Sequence, residues 1–319
     1  MTVNYKKTTD LSDSEIQRIC EIFSNVFPEH SRSVADFKNE FLNSEFGYSF
    51  HGLLMDGEII TGSQSYIPFI YLIDGAEKQV ALSVDTMILP EYRNFDNIYD
   101  LLSKGQKFLK NSGFSFVFGF PNENAYPLLT KGLKEKDIGD LSTYILPYKI
   151  GTLKEKFKNL NFASKIFSHI LVNSSVMSKK SETKDYRISK NRENFNSYRY
   201  KWFDGNYKKV SKIDFEYFYK IKSHQGVQTA FLIDVYPLSQ KNFDAAVRNI
   251  YHEEKANFDI VLYIGNLHFR PLSMLKIPKK MEPKTFHFTA KILDQKSITP
   301  QILYDLSNWD VNLSNYDLL

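Results

Sequence analysis

The chain has 319 residues, enough for two domains of ordinary size with substantial cores. Apolar residues make up 42% and aromatic residues 15%, which argues against disorder, and 41 basic against 37 acidic residues leave a net charge of +4, too even for a dedicated nucleic-acid binder. The single cysteine, Cys20, excludes an internal disulfide and a cysteine-based zinc site, and the seven histidines form no H-x-x-x-H pair, so no metal is expected. No run reaches about 18 apolar residues and the first residues lack a secretory apolar stretch, so the expected compartment is the cytoplasm.

Residues 4–9 can form a short edge strand. Ser12-x-x-Glu15 reads as a capping box, and Ile16, Ile19, Cys20, Phe23, Val26 and Phe27 follow at helical spacing up to Pro28. On that stripe Cys20 reads as core filler. Val34–Leu42 reads as a second helix. Three strand-like runs come next, Tyr48–Met55, Glu58–Leu72 and Gln79–Leu89, separated by Asp56-Gly57 and Asp74-Gly75. Asp-Gly between strand patterns signals a hairpin whose two turn residues take positive φ, so the three runs predict an antiparallel meander. The third run is apolar on both faces, as in a strand covered on both sides, and Pro90 stops it. Asp96 can cap a helix carrying Ile98, Leu101, Leu102, Phe108 and Leu109, ended by Gly113, and a strand over Phe114–Phe120 then lies parallel to its predecessor. A helix over about 124–135 and a strand over Leu141–Pro147 complete the first half.

Residues 151–173 alternate Lys with Leu, Phe and Ile and read as a connecting amphipathic helix, and 174–195 are rich in Lys, Ser and Asn, as in a linker. The second half predicts strands over Tyr198–Phe203, Tyr207–Ile213, Phe215–Ile221 and Val227–Val235, a helix over 239–254, and strands over Asp259–Gly265 and Phe286–Leu293, with an Asp204-Gly205 turn. Strand, strand, helix, strand thus occurs in both halves. That order predicts two related α/β domains in tandem, 1–150 and 196–319, joined by 151–195.

The stretch from Val84 to Leu89, Pro90, Tyr92-Arg93, the helix after it and the strand ending Gly119-Phe120-Pro121-Asn122 resemble the GNAT superfamily of acyl-CoA-dependent N-acyltransferases. The resemblance implies an α/β (α+β) fold of two tandem GNAT-like domains, each a mixed, mostly antiparallel sheet flanked by helices. It implies coenzyme A as the carrier of the acyl group, bound at the strand end and helix entry by Met87, Ile88, Arg93, Asn94, Phe95, Asp96, Asn97, Ile98 and Tyr99, with Asn124 nearby. A loop entering a helix presents unpaired N–H groups and the positive end of the helix dipole, which suit a diphosphate, and Arg93 can add a charged fork. The loop departs from the family's glycine pattern: Asp96 and Ile98 stand where glycines are usual, and Asn94 and Asn97 are the residues best able to mimic a glycine backbone.

More narrowly, the chain resembles two-domain members found with bacterial surface-polysaccharide synthesis. The motifs are Thr229–Val235, Met274–Pro278 and Asn308–Asn312. That likeness implies transfer of an acetyl or 3-hydroxybutanoyl-like group to a dTDP-linked amino sugar, by a monomer whose second, degenerate domain acts as a built-in partner. Asp85, an acid in an apolar strand, can orient or deprotonate the amine, or pair with a structural Arg or Lys. Asn122 and Asn124 can bind pantetheine or sugar, or cap a turn, and Tyr126 lies about a turn before the family's tyrosine acid, a place nearer Thr130. His51 and His224 are alternative bases or satisfied structural residues. Trp202, Phe203 and Trp309 can stack on a base or belong to the core, Asp310 and Asn312 can bind base or sugar, and Lys201 and Arg270 can meet a diphosphate. A binding protein that has kept the fold and lost catalysis, or an enzyme acting on another amine, are the alternatives.

Overall fold

A computed structural model describes residues 1–28, 31–153, 159–201, 206–224 and 226–316, with His224 described by its backbone alone. Strand β1 (Thr2–Lys7) precedes helix α1 (Asp13–Val26), which opens on the expected capping box: Ser12 Oγ accepts from the Glu15 N–H at 3.2 Å and the Glu15 carboxylate accepts from the Ser12 N–H at 2.9 Å. Helix α2 (Val34–Leu42) starts with the same device, built from Ser33 and Asp36. Strands β2 (Phe50–Asp56), β3 (Ile59–Ile73) and β4 (Ala76–Ile88) form the meander. At the second turn Asp74 and Gly75 both take positive φ, 49° and 81°. At the first turn Asp56 still pairs with Ile59, so the loop is Gly57-Glu58 and only Gly57 is left-handed, at 60°.

Helix α3 (Phe95–Asn111) is capped by Asn94 and not, as the sequence suggested, by Asp96. Asn94 Oδ1 accepts from the Asn97 N–H at 2.9 Å; both residue types cap well, and the helix starts two residues earlier. Gly113 leaves α3 at φ 86°, and β5 (Phe116–Gly119) runs parallel to β4. The helix expected over 124–135 shrinks to a short turn ending in a π-helical segment, Leu128–Gly132, before Lys134 at φ 58° turns the chain out.

Next come β6 (Lys136–Leu146), α4 (Asn161–Ser174), β7 (Ile188–Lys190), α5 (Arg192–Arg199) and β8 (Lys208–Ser211). Then follow β9 (Glu216–His224), β10 (Val227–Tyr236), α6 (Gln240–Glu254), β11 (Ile260–Gly265), β12 (Leu275–Lys276), β13 (Phe286–Ile292) and α7 (Pro300–Leu303). The strand expected over Tyr198–Phe203 is overturned at its start, because α5 runs through Arg199. Phe195 and Tyr198 lie three apart and both set their rings on Phe69, at 5.6 and 6.1 Å, a helical spacing. Trp202, Phe203 and the Asp204-Gly205 turn lie outside the described residues.

The chain divides into two compact units: residues 1–140, 187–205 and 286–310 form one, and 141–186, 206–285 and 311–319 the other. The expected boundaries at 150 and 195 do not coincide with this division, because each unit completes its sheet with a strand distant in sequence. In unit 1 the strands run β1-β2-β3-β4-β5-β13, antiparallel except β4–β5, and β7 adds to β3. In unit 2 they run β6-β11-β10-β9-β8, antiparallel except β10–β11, with β12 on β6. Helix α3 covers one face of sheet 1 through Leu109, against Phe50, Tyr66, Ala81 and Val117. In unit 2, α6 packs Phe243, Val247 and Ile250 on Leu232, Val261 and Tyr263. Mixed, mostly antiparallel sheets flanked by helices are the expected fold class.

Candidate functional site

Strands β4 and β5 pair from Val80 opposite Phe116 to Ser83 opposite Gly119, and there the pairing ends. β4 runs on through Val84–Ile88 with, among the described residues, only β3 pairing beside it. Just past the parting, Asp85 and Thr86 together face one β3 residue, since Ser65 pairs with Val84 and Ser63 with Met87. This is a bulge, and Asp85 sits in the left-handed region at φ 52°. The Gln64 side chain holds it. Its Nε2 donates to the carbonyls of Ser65 and Val84 at 2.8 and 3.0 Å and to Ser83 Oγ at 3.0 Å, and its Oε1 accepts from the Thr86 hydroxyl. A run of β4 backbone is thereby offered along the edge that β5 has left, the kind of donor array that polarises a carbonyl.

The chain then turns at Pro90–Tyr92 and enters α3. The Phe95 and Asp96 amides have no hydrogen-bond acceptor among the described residues, and no residue from Leu89 to Ile98 takes a positive φ. The turn is therefore built without strain in the absence of glycine. Arg93 folds back, donating Nε and Nη2 to the Ile88 carbonyl at 3.2 and 2.9 Å, and Asn97 Nδ2 donates to the Tyr92 carbonyl at 2.8 Å. Met87 and Ile88 are buried and Ile98 packs on Leu54, Ile88 and Leu101, so these three offer a ligand backbone only. Asp96 is exposed in the first turn, and the exposed rings of Phe95 and Tyr99 stack at 5.8 Å.

Asp85 takes the structural partner that its apolar strand called for. Its carboxylate pairs with Arg32, which also bridges Glu40 at 3.1 Å and lies 4.1 Å over the Phe23 ring. One guanidinium thus serves two carboxylates and an aromatic face in a poorly solvated corner. Beside it, Gln17, Cys20, Glu21, Ser24, Asn25, Pro28 and Arg32 line a recess of about 490 Å³. Cys20 is buried core, as expected, and burial pushes its thiol up to about 11. His51 is satisfied and structural. It lies 2.9 Å from both Thr8 Oγ1 and Ser65 Oγ, between Phe37 and Phe41, and burial presses its pKa down to about 3.

Past β5, Asn122 caps its own turn: its Oδ1 accepts from the N–H groups of Asn124 and Ala125 at 3.1 and 2.9 Å. Tyr126 donates its hydroxyl to Asp137 Oδ2 at 2.8 Å, and this hydrogen bond lifts the phenol to about 12, so the proton is held on oxygen. Its ring stacks on His287 at 4.1 Å, and His287 Nδ1 lies 2.8 Å from Asp140 and Nε2 3.4 Å from Glu123. Thr130 Oγ1 donates back to the Tyr126 carbonyl at 2.8 Å. His287, Asp137, Asp140, Gln64 and Arg32 are the polar residues that the sequence reading missed. His287 comes from β13, far along the chain, and the one available signal was the polar residue leading into an apolar strand.

The residues expected to meet the nucleotide are spread over both units, and several are engaged in packing. Trp309 is 0% exposed: Phe116, Phe118 and Phe288 crowd its ring at 5.5, 5.8 and 4.8 Å and its Nε1 donates to the Leu303 carbonyl at 2.8 Å, so no face is open to a base. Asp310 accepts from Arg192 at 2.7 Å, and Asn312 donates to Asp234 at 2.8 Å. Lys201 is exposed after α5, and its carbonyl accepts from Asn39 at 3.1 Å. Arg270 is exposed in unit 2, and its carbonyl accepts from Gln240 at 3.0 Å. His224 ends β9, its backbone opposite Val227. Among the described residues no cluster of His, Cys, Asp and Glu is arranged to hold a metal ion, and no helix is long and apolar enough to cross a membrane.

No family profile matches the sequence, and no curated protein matches it either. Solved structures do match in three dimensions. A conserved protein of unknown function from Enterococcus faecalis V583, described as a probable N-acyltransferase, aligns over 93% of this chain and 74% of its own at 11% identity, with a TM-score of 0.57. A GCN5-related N-acetyltransferase from Anabaena variabilis aligns over 91% of this chain and 73% of its own at 12% identity and TM-score 0.58. One from Kribbella flavida aligns over 92% and 72% at 12% identity and TM-score 0.56. At such identities the likeness speaks to fold alone, and over nearly the whole chain that fold is the one of structures described as GCN5-related N-acetyltransferases.

Proposed function

We propose that the protein is an N-acyltransferase that moves an acyl group from acyl-CoA to an amine, the acceptor being the amino group of a dTDP-linked amino deoxysugar used in surface-polysaccharide synthesis. The observation that carries the first part is the parting of β4 from β5 after Ser83, ahead of the Phe95 and Asp96 amides of α3, which have no acceptor among the described residues. The donor set suits a CoA in kind: Phe95 and Asp96 N–H groups with the helix dipole for the diphosphate, and the backbone of Val84–Ile88 for the pantetheine and thioester. Asp96 opposes this with its charge, and Arg93, turned to the Ile88 carbonyl, supports the loop.

Bound acyl-CoA supplies an activated acyl carbonyl, whose transfer forms an amide and frees a thiol. The protein's contribution is mostly positional. A sugar amine with pKa near 8 is partly neutral at neutral pH, and a thiol of pKa about 8.5 leaves readily, so neither proton transfer needs a strong catalyst. Amides along β4 beyond Ser83 polarise the carbonyl. Asp85, held in place by its ion pair with Arg32, orients the amine through a carboxylate oxygen. Tyr126, whose proton stays in place at neutral pH, acts as a donor only if it swings from Asp137. The sugar part of the reading rests on the likeness of the second-half motifs.

The test is thiol release by the purified chain with acetyl-CoA and with dTDP-3-amino-3,6-dideoxygalactose, separately and together. Release that needs both supports the whole reading; release with other amines but no amino-sugar nucleotide removes the sugar; no release with any amine removes the enzyme. The exposed Asp96 and the engagement of Arg93 with the Ile88 carbonyl favour a second reading, a fold that binds without turnover, and calorimetric titration with CoA separates a binder from a chain that binds nothing.

A further inference from the structure

Helix α4 is amphipathic the wrong way round. Its buried positions are Ser164, Ser168 and Val172, followed by Ser175 just beyond the helix. Ser164 Oγ donates to the Tyr148 carbonyl at 2.9 Å, Ser175 Oγ accepts from Arg248 at 3.1 Å, and Val172 joins the core beneath α6. These small side chains let the helix lie close to its unit. The large apolar side chains point away from it: Phe162 is 76% exposed, Ile170 57% and Met177 69%, with Ile166, Phe167 and Val176 also in solvent. Phe162, Ile166 and Ile170 stand four apart, one above the next along a single stripe. Isolated exposed apolar residues are ordinary, but a continuous stripe of this kind marks a contact surface.

Charge indicates the occupant. From Asn159 to Lys180 the chain carries Lys165, Lys179 and Lys180, all exposed, and no Asp or Glu. A second copy docking here would bring lysines against lysines with no carboxylate in the stretch to answer them. An anionic surface answers all three at once, while the apolar stripe sinks between its headgroups. We propose that α4 is a membrane-surface docking helix, which lays Phe162, Ile166, Phe167 and Ile170 into the interface of an anionic bilayer with Lys165, Lys179 and Lys180 on its phosphates. At 14 residues it is too short to span. The inference does not depend on the chemistry of unit 1.

Co-sedimentation of the whole chain with phosphatidylcholine vesicles containing about 30% phosphatidylglycerol tests it. Binding is expected, weakened several-fold when salt rises from about 0.1 to about 0.5 M, and low on pure phosphatidylcholine. Phe162→Ser with Ile166→Ser lowers the partition at least about tenfold, and Lys165→Glu alone lowers it about fivefold, with unchanged circular dichroism because all three side chains are in solvent. Absence of binding to the anionic vesicles overturns the proposal. So does binding that survives both variants, or sedimentation equilibrium showing a dimer that the apolar pair abolishes while vesicle binding persists.

Discussion

The two units carry the same local motif and use it differently. In unit 1 it is β3–β4–α3–β5, in unit 2 β9–β10–α6–β11. In each the parallel pairing is short, ending at Ser83 opposite Gly119 and at Phe231 opposite Leu262, and in each the longer strand bulges just beyond, at Asp85 and at Ile233. In unit 2 the chain fills the gap itself. Asn312 bridges Gly265 and donates to Asp234 at 2.8 Å, Asn266 donates to the Val311 carbonyl at 2.9 Å, and the Lys241 amide in the first turn of α6 donates to the Lys180 carbonyl at 3.0 Å. In unit 1 no strand of the described residues other than β3 pairs with β4 beyond Ser83, and the matching amides of α3 have no acceptor. A shared supersecondary structure thus says little about where chemistry occurs; what occupies the gap decides it.

Five measurements bear on that contrast. The largest effect is in acid and belongs to unit 1. His51 has a folded pKa of about 3 against an ordinary 6.5, so the unfolded chain binds its proton first as pH falls. The stability it contributes is full above pH 6.5 and is lost toward pH 3, with a slope of up to about 1.4 kcal/mol per pH unit. Denaturant titrations across that range should show the slope, and His51→Gln should flatten it. Arg32→Ala comes next: it leaves the Asp85 and Glu40 carboxylates facing each other without their shared cation, at a cost of about 3–5 kcal/mol read by chemical denaturation.

Asn312→Ala strips Asp234 of a buried donor in unit 2 and should cost about 1–3 kcal/mol while leaving CoA affinity unchanged. An equal loss of CoA binding there would erase the distinction between the filled gap and the open one. Phe95→Pro removes one amide of α3 at a position where proline suits the helix, so helix content should hold and CoA binding should weaken about tenfold by calorimetry. The smallest change runs the other way. Asp96→Asn removes a negative charge at the helix entry and should tighten CoA binding about two- to fivefold at low salt.

How much was legible follows from range. Ser12 and Glu15, the Asp74-Gly75 pair and Gly113 act on their immediate neighbours and were readable, whereas at the first hairpin only Gly57 took the positive φ expected of both turn residues. Asn94 and Asp96 compete for one cap, and two residues of ambiguity there moved the helix start. Tyr198 was misread because an aromatic run suits a strand as well as a helix until Phe69 is placed under it. Trp309 left base stacking and core both open in the sequence, and the structure takes the second, enclosing it by rings from β5 and β13. The Tyr126–His287 stack joins positions that no spacing rule connects.

By itself the sequence determined the alternation that makes the sheets and most of the turns and caps that punctuate it, because these depend on residues a few places apart. Only the tertiary structure decided that Asp85 shares Arg32 with Glu40, that the strands completing each sheet come from distant stretches, and that the gap is closed in one unit and left open in the other. Those outcomes depend on burial and charge pairing between segments far apart in the chain, where a carboxylate takes the partner that desolvation makes necessary and a gap is filled by whatever segment the fold brings to it.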